Sequence, residues 1–554
     1  MTEGWRRFGA AVAAALAAWL LAAGVAAPLL LGAVAADGTA ARLLEGLRGS
    51  LRDGVLLLLA FGATVPAVAA LRPSRVAGWV RPATAEALGA IRAWIAAILL
   101  ASVLWEDLPS TAALPRGMLG LDEHWLVGLL HPLPIGFDRF LASPAALLAF
   151  EWATVLLLAA AAAGLRTRWS VPAGALAYLL FASILRSYAW SYHTGLVPLY
   201  VLLLLAFTPC GDAFSLDRLL RRRRGVPVEP ARVPRLRYGV GRWLVWAGVA
   251  LPYTMAGLSK LRNTGPLWWE GEHMRQMVVA TVVEPMQFDF RLTYLMVDWP
   301  AWVFGALGLA SLVGEVAFVL VLVSPLVRRV LPLATAGMHV GILLMQNILL
   351  PDLIAIQAVF YDWTPLRARL AAAWARARAL ARLPAAAPPA GGVTGSGGPR
   401  DVDAAVRRQA RAAQAFLVVA FLAWATRTER FPVTAMQMFS RPSPLEPVEY
   451  VRPLVRYADG SVERARFERW IGAVADARYR RLLRQWDEHP ERLPLLREFL
   501  DACARRANAG APPGRRVVGF ELELRRWDFR RHPRDPDHGE LVRVVRHDVA
   551  PAGR

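Results

Sequence analysis

The sequence predicts an all-α polytopic membrane helical bundle of about 11 transmembrane helices, followed by a small extracytoplasmic α+β C-terminal domain. Of the 554 residues, 56% are hydrophobic and only 19% are charged, whereas about a quarter of the residues in an ordinary soluble domain are charged. Several nearly charge-free runs reach roughly 18 residues, enough to cross a hydrocarbon core of about 30 Å. The last segment instead alternates apolar and polar residues, as a half-buried strand does. These patterns exclude a soluble cytoplasmic enzyme.

The predicted spans are separated by loops whose arginines set the orientation. With the N-terminus in the cytoplasm, the cytoplasmic loops carry most of the arginines, as the positive-inside rule requires. The first run follows two arginines and is too long for a signal peptide, so we interpret it as a retained span. The predicted spans are 8–35, 54–71, 88–105, 141–164, 171–187, 191–209, 239–259, 299–327, 332–348, 350–363 and 412–427.

The formal net charge of +21 resembles that of a nucleic-acid-binding protein, but its position argues otherwise. Most of the excess lies in short loops between apolar runs, so we expect membrane lipids and no nucleic acid as partners. The basic stretch 218–237 either sets the topology or binds anionic lipid or a cytoplasmic partner. The Ala- and Arg-rich composition is typical of a GC-rich bacterial genome, which predicts a multi-pass protein of the inner (plasma) membrane.

The chain divides into a membrane core, a linker, a last span and a tail. A hairpin around Asp459-Gly460, helices at about 466–486 and 491–507, and strands near 520–524 and 541–545 predict the α+β fold of the tail. The predicted units are an N-terminal pair of spans (1–84), the membrane core (85–365), a cytoplasmic basic and Pro/Gly-rich linker (366–410), the last span (411–430) and the extracytoplasmic domain (431–554).

Ionisable residues inside spans are costly and therefore mark functional candidates. The glutamates among them are either protonated or paired with Arg92 or Arg186, and His339 is either a hydrogen-bonded interior histidine or a pocket residue. Arg186 and His193 lie near span ends, where a long side chain reaches the interface at low cost. The candidates are Arg92, Glu151, Arg186, His193, Lys260, Glu315 and His339.

Lys260 stands out because it is the only lysine among the 64 basic residues. It lies at the outer end of a predicted span, where Pro252 and Gly257 favour a bent helix with close neighbours. Arginine stays protonated, whereas a buried lysine can lose its proton and act as a base. The alternative is an interfacial anchor beside Trp268 and Trp269, a role that arginine would fill equally well.

The run from Tyr253 to Leu261, with Trp269 and Gly271 after it, resembles the "Y-x-x-A-G-x-x-K-L … W-x-x-G" signature of the HTTM family. That family comprises membrane proteins related to vitamin K-dependent γ-glutamyl carboxylase. Further segments are similar to other parts of the family: 190–200 with His193, the P-C-G loop 209–217, the region of His339 with 360–363, and 436–439.

The resemblance implies an enzyme that uses reduced vitamin K or menaquinone (a hydroquinone) with O₂, generating a base strong enough to abstract a substrate proton. CO₂ is the second substrate of the family reaction, and a protein or peptide would be carboxylated on the extracytoplasmic side. By resemblance, Lys260 is the catalytic base and His193 assists it. The residues expected to bind the quinone are Tyr253, Trp268, Trp269, Arg186, Glu315 and His339.

Two other functions stay open at this point. One is a non-catalytic membrane protein that binds a quinone or lipid, or that scaffolds other proteins; the other is a transporter, although no matched broken helices are evident. We expect no metal, because Asp122, Glu123, His124 and His131 match no metal-binding spacing. A Lys260 that faces a closed apolar cavity together with His193 would favour the enzyme, and one that faces lipid headgroups would favour the anchor.

Overall fold

The computed structural model describes residues 67–121, 125–130, 136–188, 193–281, 283, 290, 292–363, 376, 403–440, 445–472, 490–532 and 539–549. The predicted span 8–35, most of the span 54–71 and most of the predicted linker 366–410 lie outside the described residues. Within the described part, the chain is mostly helical, with a small antiparallel sheet region near its C-terminus.

The α-helices are, in chain order, α1 (Pro73–Trp79), α2 (Ala85–Trp105), α3 (Trp125–Leu130), α4 (Phe137–Ala142), α5 (Pro144–Ala163), α6 (Thr167–Tyr188), α7 (Leu196–Leu205), α8 (Leu216–Arg223), α9 (Leu236–Asn263), α10 (Gly271–Ala280), α11 (Leu292–Met296), α12 (Ala301–Val316), α13 (Pro325–Gln346), α14 (Pro351–Ala355), α15 (Ala404–Ala425) and α16 (Leu493–Asn508). The strands are β1 (Glu429–Arg430), β2 (Val433–Thr434), β3 (Val448–Tyr457), β4 (Val462–Arg464), β5 (Val517–Trp527) and β6 (Glu540–Asp548).

Five of the described helices are long and apolar enough to cross a membrane. They are α2, α5, α6, α12 with its 3₁₀ continuation Ala317–Leu322, and α13. Five spans predicted from apolar runs coincide with these helices, and together they indicate a multi-pass membrane protein.

Local sequence signals fix the ends of these helices. The Ser143 hydroxyl caps α5 and the Ser324 hydroxyl caps α13, and in each helix a proline occupies the first position. Proline suits this position because its missing N–H would have no partner inside the helix. Gly164, with φ of +70°, ends α5 in the left-handed conformation that glycine adopts at no steric cost.

The long helices present large apolar side chains on their outer surface. Trp105, Trp169 and Trp302 are 76%, 70% and 72% exposed, and each lies at or near the end of a long helix. Tryptophan favours the level of the lipid headgroups, where its ring meets both apolar and polar surroundings. This surface is therefore suited to contact with lipid.

Helix α9 lies at the centre of the bundle and packs against α2, α7, α12 and α15. It is 28 residues long, so it extends over about 42 Å. Most of its side chains are buried from Leu236 to Arg262. Because α9 is enclosed by other helices, it tolerates polar residues that a lipid-facing helix would not.

Three predicted spans differ from the helices that form. Among the described residues 193–209 of the predicted span 191–209, α7 is the only α-helix, because Gly195 has a φ of +75° and residues 193–195 are not helical. The predicted span 350–363 is divided into α14 and the 3₁₀ segment Ile356–Phe360. The helix of the last span, α15, begins earlier than predicted, because the Asp403 side chain caps it by accepting from the N–H of Val406.

The C-terminal region contains a four-stranded antiparallel sheet in the order β4-β3-β5-β6. The predicted β3–β4 hairpin and the predicted pairing of β5 with β6 are confirmed. Helix α16 covers one face of the sheet, where the ring of Phe467 lies 5.3 Å from Phe499 and 5.9 Å from Phe520. The later part of the helix predicted at 466–486 lies outside the described residues.

Candidate functional site

Lys260 is buried near the C-terminal end of α9, with 3% of its surface exposed. Its Nζ lies 2.5 Å from each carboxylate oxygen of Glu315, and it lies 5.0 Å from the centre of the Trp268 ring. The interfacial-anchor alternative is wrong, because the side chain points into the protein and is paired there. The other expectation was a Lys260 that faces a closed apolar cavity. The surroundings differ from this too, because the Glu315 carboxylate faces the amine.

Close packing of α9 against α12 makes this pair possible. A Cβ added to Gly257 would lie 2.9 Å from the backbone nitrogen of Val316 and 3.1 Å from Cβ of Glu315. Gly257 therefore lets the two backbones approach closely, one turn before Lys260. The small-residue segment predicted to allow close neighbours does so at this position.

The predicted pairing of the glutamates with Arg92 or Arg186 is wrong. Glu315 binds Lys260, and Glu151 accepts a hydrogen bond from the backbone N–H of Leu108 at 3.1 Å. Arg92 is fully buried and donates to three backbone carbonyls instead. These carbonyls belong to Ala162, in the last turn of α5, and to Cys210 and Phe214, which follow α7, so Arg92 joins α2 to both segments. Arg92 thus has a structural role.

His193 and Lys260 lie against different carboxylates. Nε2 of His193 lies 3.6 Å from Oε2 of Glu429 in β1, and Glu429 also accepts from the Thr434 hydroxyl at 2.6 Å. His193 precedes α7 in a non-helical segment, rather than lying inside a span as predicted. The two predicted catalytic residues thus have separate acidic partners, and Glu429 was not identified from the sequence.

Arg186 contacts the segment that contains His193. Its guanidinium donates to the carbonyl of Thr194 and packs on the Phe431 ring at 4.3 Å. Arg186 is only 4% exposed, so the proposal that it extends to the interface is wrong. Close by, the N–H of Gly195 donates to the buried carboxylate of Asp352 at 2.7 Å.

A second polar cluster surrounds the hydroxyl of Tyr253, two turns before Lys260 on α9. Nε2 of His339 lies 2.7 Å from the hydroxyl oxygen, and Nε2 of Gln357 donates to it at 3.0 Å. The Tyr253 ring stacks on Phe318 with a centroid distance of 4.6 Å. The interpretation of His339 as a hydrogen-bonded interior histidine is confirmed. Gln357 was missed, because only ionisable residues were considered within the spans.

The two tryptophans predicted to form an interfacial belt have different surroundings. Trp268 is 3% exposed, so it is buried rather than interfacial, whereas Trp269 is half-buried. The indole nitrogen of Trp268 has no hydrogen-bond partner among the described residues. A buried N–H donor without a partner, beside a lysine–glutamate pair, fits a ligand that carries an oxygen acceptor. A quinone or quinol head is a ligand of this kind.

Comparison with known proteins gives no match to a family model, to a curated protein or to a solved structure. The functional argument therefore rests on the geometry of the Lys260–Glu315 pair and of the cluster around Tyr253. Among the described residues, no group of three or more His, Cys, Asp or Glu side chains is arranged to hold a metal ion. The acidic and histidine residues of 122–124 and 131 lie outside the described residues.

Proposed function

We propose that this chain is a membrane enzyme similar to vitamin K-dependent γ-carboxylase, with a reduced quinone and O₂ as co-substrates and proton abstraction from a substrate as its task. The observation that carries the proposal is the buried Lys260–Glu315 pair, in which the only lysine of the chain has its amine 2.5 Å from a carboxylate. This pair lies beside the indole N–H of Trp268, which donates to none of the described residues.

Glu315 gives Lys260 a route to its neutral form. Transfer of one proton from the ammonium to the carboxylate yields a neutral amine and a carboxylic acid, without a change in net charge. A site of low dielectric raises the cost of keeping both charges, so burial lowers the free-energy cost of this transfer from the ion pair. An arginine at this position would keep its proton, so the proposed role as a base needs a lysine here.

Lys260 and Trp268 would hold the polar head of the quinol, with Lys260 taking a proton from its hydroxyl. In the proposed reaction O₂ would take four electrons from the quinol, two as the quinol becomes the quinone and two more as the quinone becomes its epoxide. One oxygen atom of O₂ would end in the epoxide and the other in water, the proton removed from the substrate C–H would leave to solvent, and CO₂ would add to the resulting carbanion. Two parts of the proposal rest on the resemblance alone: that the substrate is a peptide and that CO₂ is added to it.

We also propose the finer topology: about 11 spans, a cytoplasmic N-terminus and an extracytoplasmic C-terminal domain in a bacterial inner membrane. The arginine-rich loops support this orientation. The lysine–glutamate pair lies near the C-terminal end of α9, which this topology puts close to the outer leaflet. A quinol with an isoprenoid tail would reach this depth from the lipid.

The experiment compares wild-type protein with Lys260→Arg and with a control, Arg329→Lys, in lipid nanodiscs. Arg329 is exposed at the start of α13, so the control makes the reverse exchange away from the site. Each protein receives reduced vitamin K or menaquinol under oxygen, and quinone epoxide is measured by mass spectrometry. We expect epoxide from the wild type and the control and none from Lys260→Arg. Equal yields from all three would refute Lys260 as the base.

One observation favours a second candidate, a non-catalytic protein that binds a quinone or lipid. In the Lys260–Glu315 pair both charges are satisfied, as they are in ion pairs that only hold helices together. Such a protein would bind the quinol but give no epoxide with any variant. The same experiment therefore separates the two candidates when binding is measured alongside product.

A further inference from the structure

The Tyr253 cluster contains buried polar atoms that no described residue satisfies. Nδ1 of His339 and Oε1 of Gln357 have no hydrogen-bond partner among the described residues. The two side chains are 4% and 3% exposed, so bulk water does not reach them. Buried polar atoms without partners are uncommon and each requires an explanation.

The hydrogen bonds of the cluster determine what these two atoms can do. Gln357 Nε2 donates both to the Tyr253 oxygen and to the carbonyl of Leu353, at 3.0 Å and 3.1 Å. The carbonyl partner fixes the amide orientation, since a carbonyl oxygen can only accept. Because Tyr253 accepts from Gln357, its own proton is available for Nε2 of His339, and a neutral imidazole then carries its proton on Nδ1. The cluster is left with one donor, His339 Nδ1–H, and one acceptor, Gln357 Oε1.

We propose that this donor and this acceptor bind one hydroxyl group of an aromatic ligand, and that they distinguish a hydroquinone from the corresponding quinone. A hydroxyl accepts from His339 and donates to Gln357, so it satisfies both atoms. A quinone carbonyl has no proton to donate and leaves Gln357 unsatisfied. The choice of a quinol as the ligand rests on the proposed function.

The position of the cluster suits the second hydroxyl of a ring bound at Lys260. Tyr253 and Lys260 are seven residues apart on α9, on the same face, and their separation along the helix is about 10.5 Å. One hydrogen bond spans only about 3 Å. A 1,4-dihydroxy aromatic ring carries its hydroxyls at opposite ends, so in this proposal one hydroxyl meets Lys260 and the other meets His339 and Gln357. Phe318, stacked on Tyr253, supplies an aromatic wall at this end.

The test is equilibrium binding in nanodiscs without oxygen, measured as displacement of radiolabelled reduced vitamin K. The competitors are unlabelled reduced vitamin K, its oxidised quinone and its two monomethyl ethers. In wild-type protein we expect the quinol to bind about tenfold or more tightly than the quinone, because the quinone leaves a buried acceptor unpaired. The monomethyl ether blocked at the hydroxyl that meets Gln357 loses affinity to a similar extent.

Gln357→Leu is expected to weaken quinol binding by about tenfold and to leave quinone binding nearly unchanged, so the preference disappears. Gln409→Leu is the matched control, since Gln409 is also a fully buried glutamine, on α15, and it should keep the preference. If Gln357→Leu does not fold, the wild-type ligand series decides alone.

Equal wild-type affinity for quinol, quinone and both ethers would overturn the inference, and would mean that a buried water fills this place. Loss of the preference in Gln409→Leu as well as in Gln357→Leu would also overturn it. Selective quinol binding without epoxide would refute the proposed enzyme and leave this inference standing. Epoxide formation without any redox preference in binding would refute this inference alone.

Discussion

Replacing Lys260 and Glu315 singly and together tests whether the two form a buried ion pair that couples α9 to α12. The variants are Lys260→Met, Glu315→Leu and the double variant, which keep side-chain volume roughly constant. The side chains are 4% and 9% exposed, so each single variant leaves a charged or polar group buried without its partner. The double variant removes both charges at once.

The structure sets the size of the effect. At a separation of 2.5 Å, the Coulomb attraction is about 7 kcal/mol for an effective dielectric constant of about 20. Burying the two ions costs several kcal/mol each, so the net contribution of the intact pair is small. A single replacement loses the attraction and keeps one desolvation cost, which predicts a loss of about 3–5 kcal/mol in the free energy of unfolding. The double variant should be close to the wild type.

Reversible unfolding in mixed micelles of nonionic detergent and SDS, followed by tryptophan fluorescence, measures these differences. The exposed pair Arg526–Glu449, with side chains 48% and 50% exposed, is the control and should give little coupling. Single replacements at Lys260 or Glu315 that cost less than about 1 kcal/mol would refute a buried ion pair. The reasoning would also fail if the costs of the two single variants simply added in the double variant.

Three further predictions concern other parts of the chain. Burial raises the pKa of Glu429, but the His193 imidazole, 3.6 Å away, and the hydrogen bonds accepted from the Thr434 hydroxyl and the Gln437 N–H outweigh this and hold its pKa below the usual value of 4.5. The folded protein should therefore keep this stabilisation above pH 4.5 and lose it as the pH falls further, and Glu429→Gln should remove that dependence from an unfolding titration. Gly257→Ala should destabilise the protein by about 1–3 kcal/mol, because the added methyl group meets the backbone of α12. Gly337→Ala is the control and should not destabilise it, because the space around Gly337 is open. Thermal unfolding compares the two variants. Burial raises the pKa of the Cys503 thiol, so maleimide should label it slowly in folded protein and quickly in SDS.

The sequence predicted the long spans because a lipid-facing helix must be apolar along its whole length. The same reasoning failed for α7, since its start depends on Gly195 and on the backbone contact of that residue with Asp352, which is distant in sequence. The strands of the C-terminal sheet were predictable because one face is buried and the other is not, so side chains alternate.

In the candidate site, Lys260 could be found from the sequence because it is the only lysine. Its partner could not be assigned, because the pairing depends on how closely Gly257 lets α12 approach α9. Glu429 was missed because it lies beyond the last span, in the β1–β2 hairpin that folds back onto His193. Gln357 is neutral, so only its hydrogen bonds to neighbouring helices reveal it.

The most direct test of the proposed reaction follows oxygen itself. Wild-type protein and Lys260→Arg in nanodiscs receive reduced vitamin K under ¹⁸O₂, and the quinone products are examined by mass spectrometry. The proposal predicts that wild-type protein gives quinone epoxide carrying ¹⁸O and that Lys260→Arg gives none. Wild-type protein that binds the quinol and yields no labelled epoxide, or a variant that yields as much as the wild type, would contradict it.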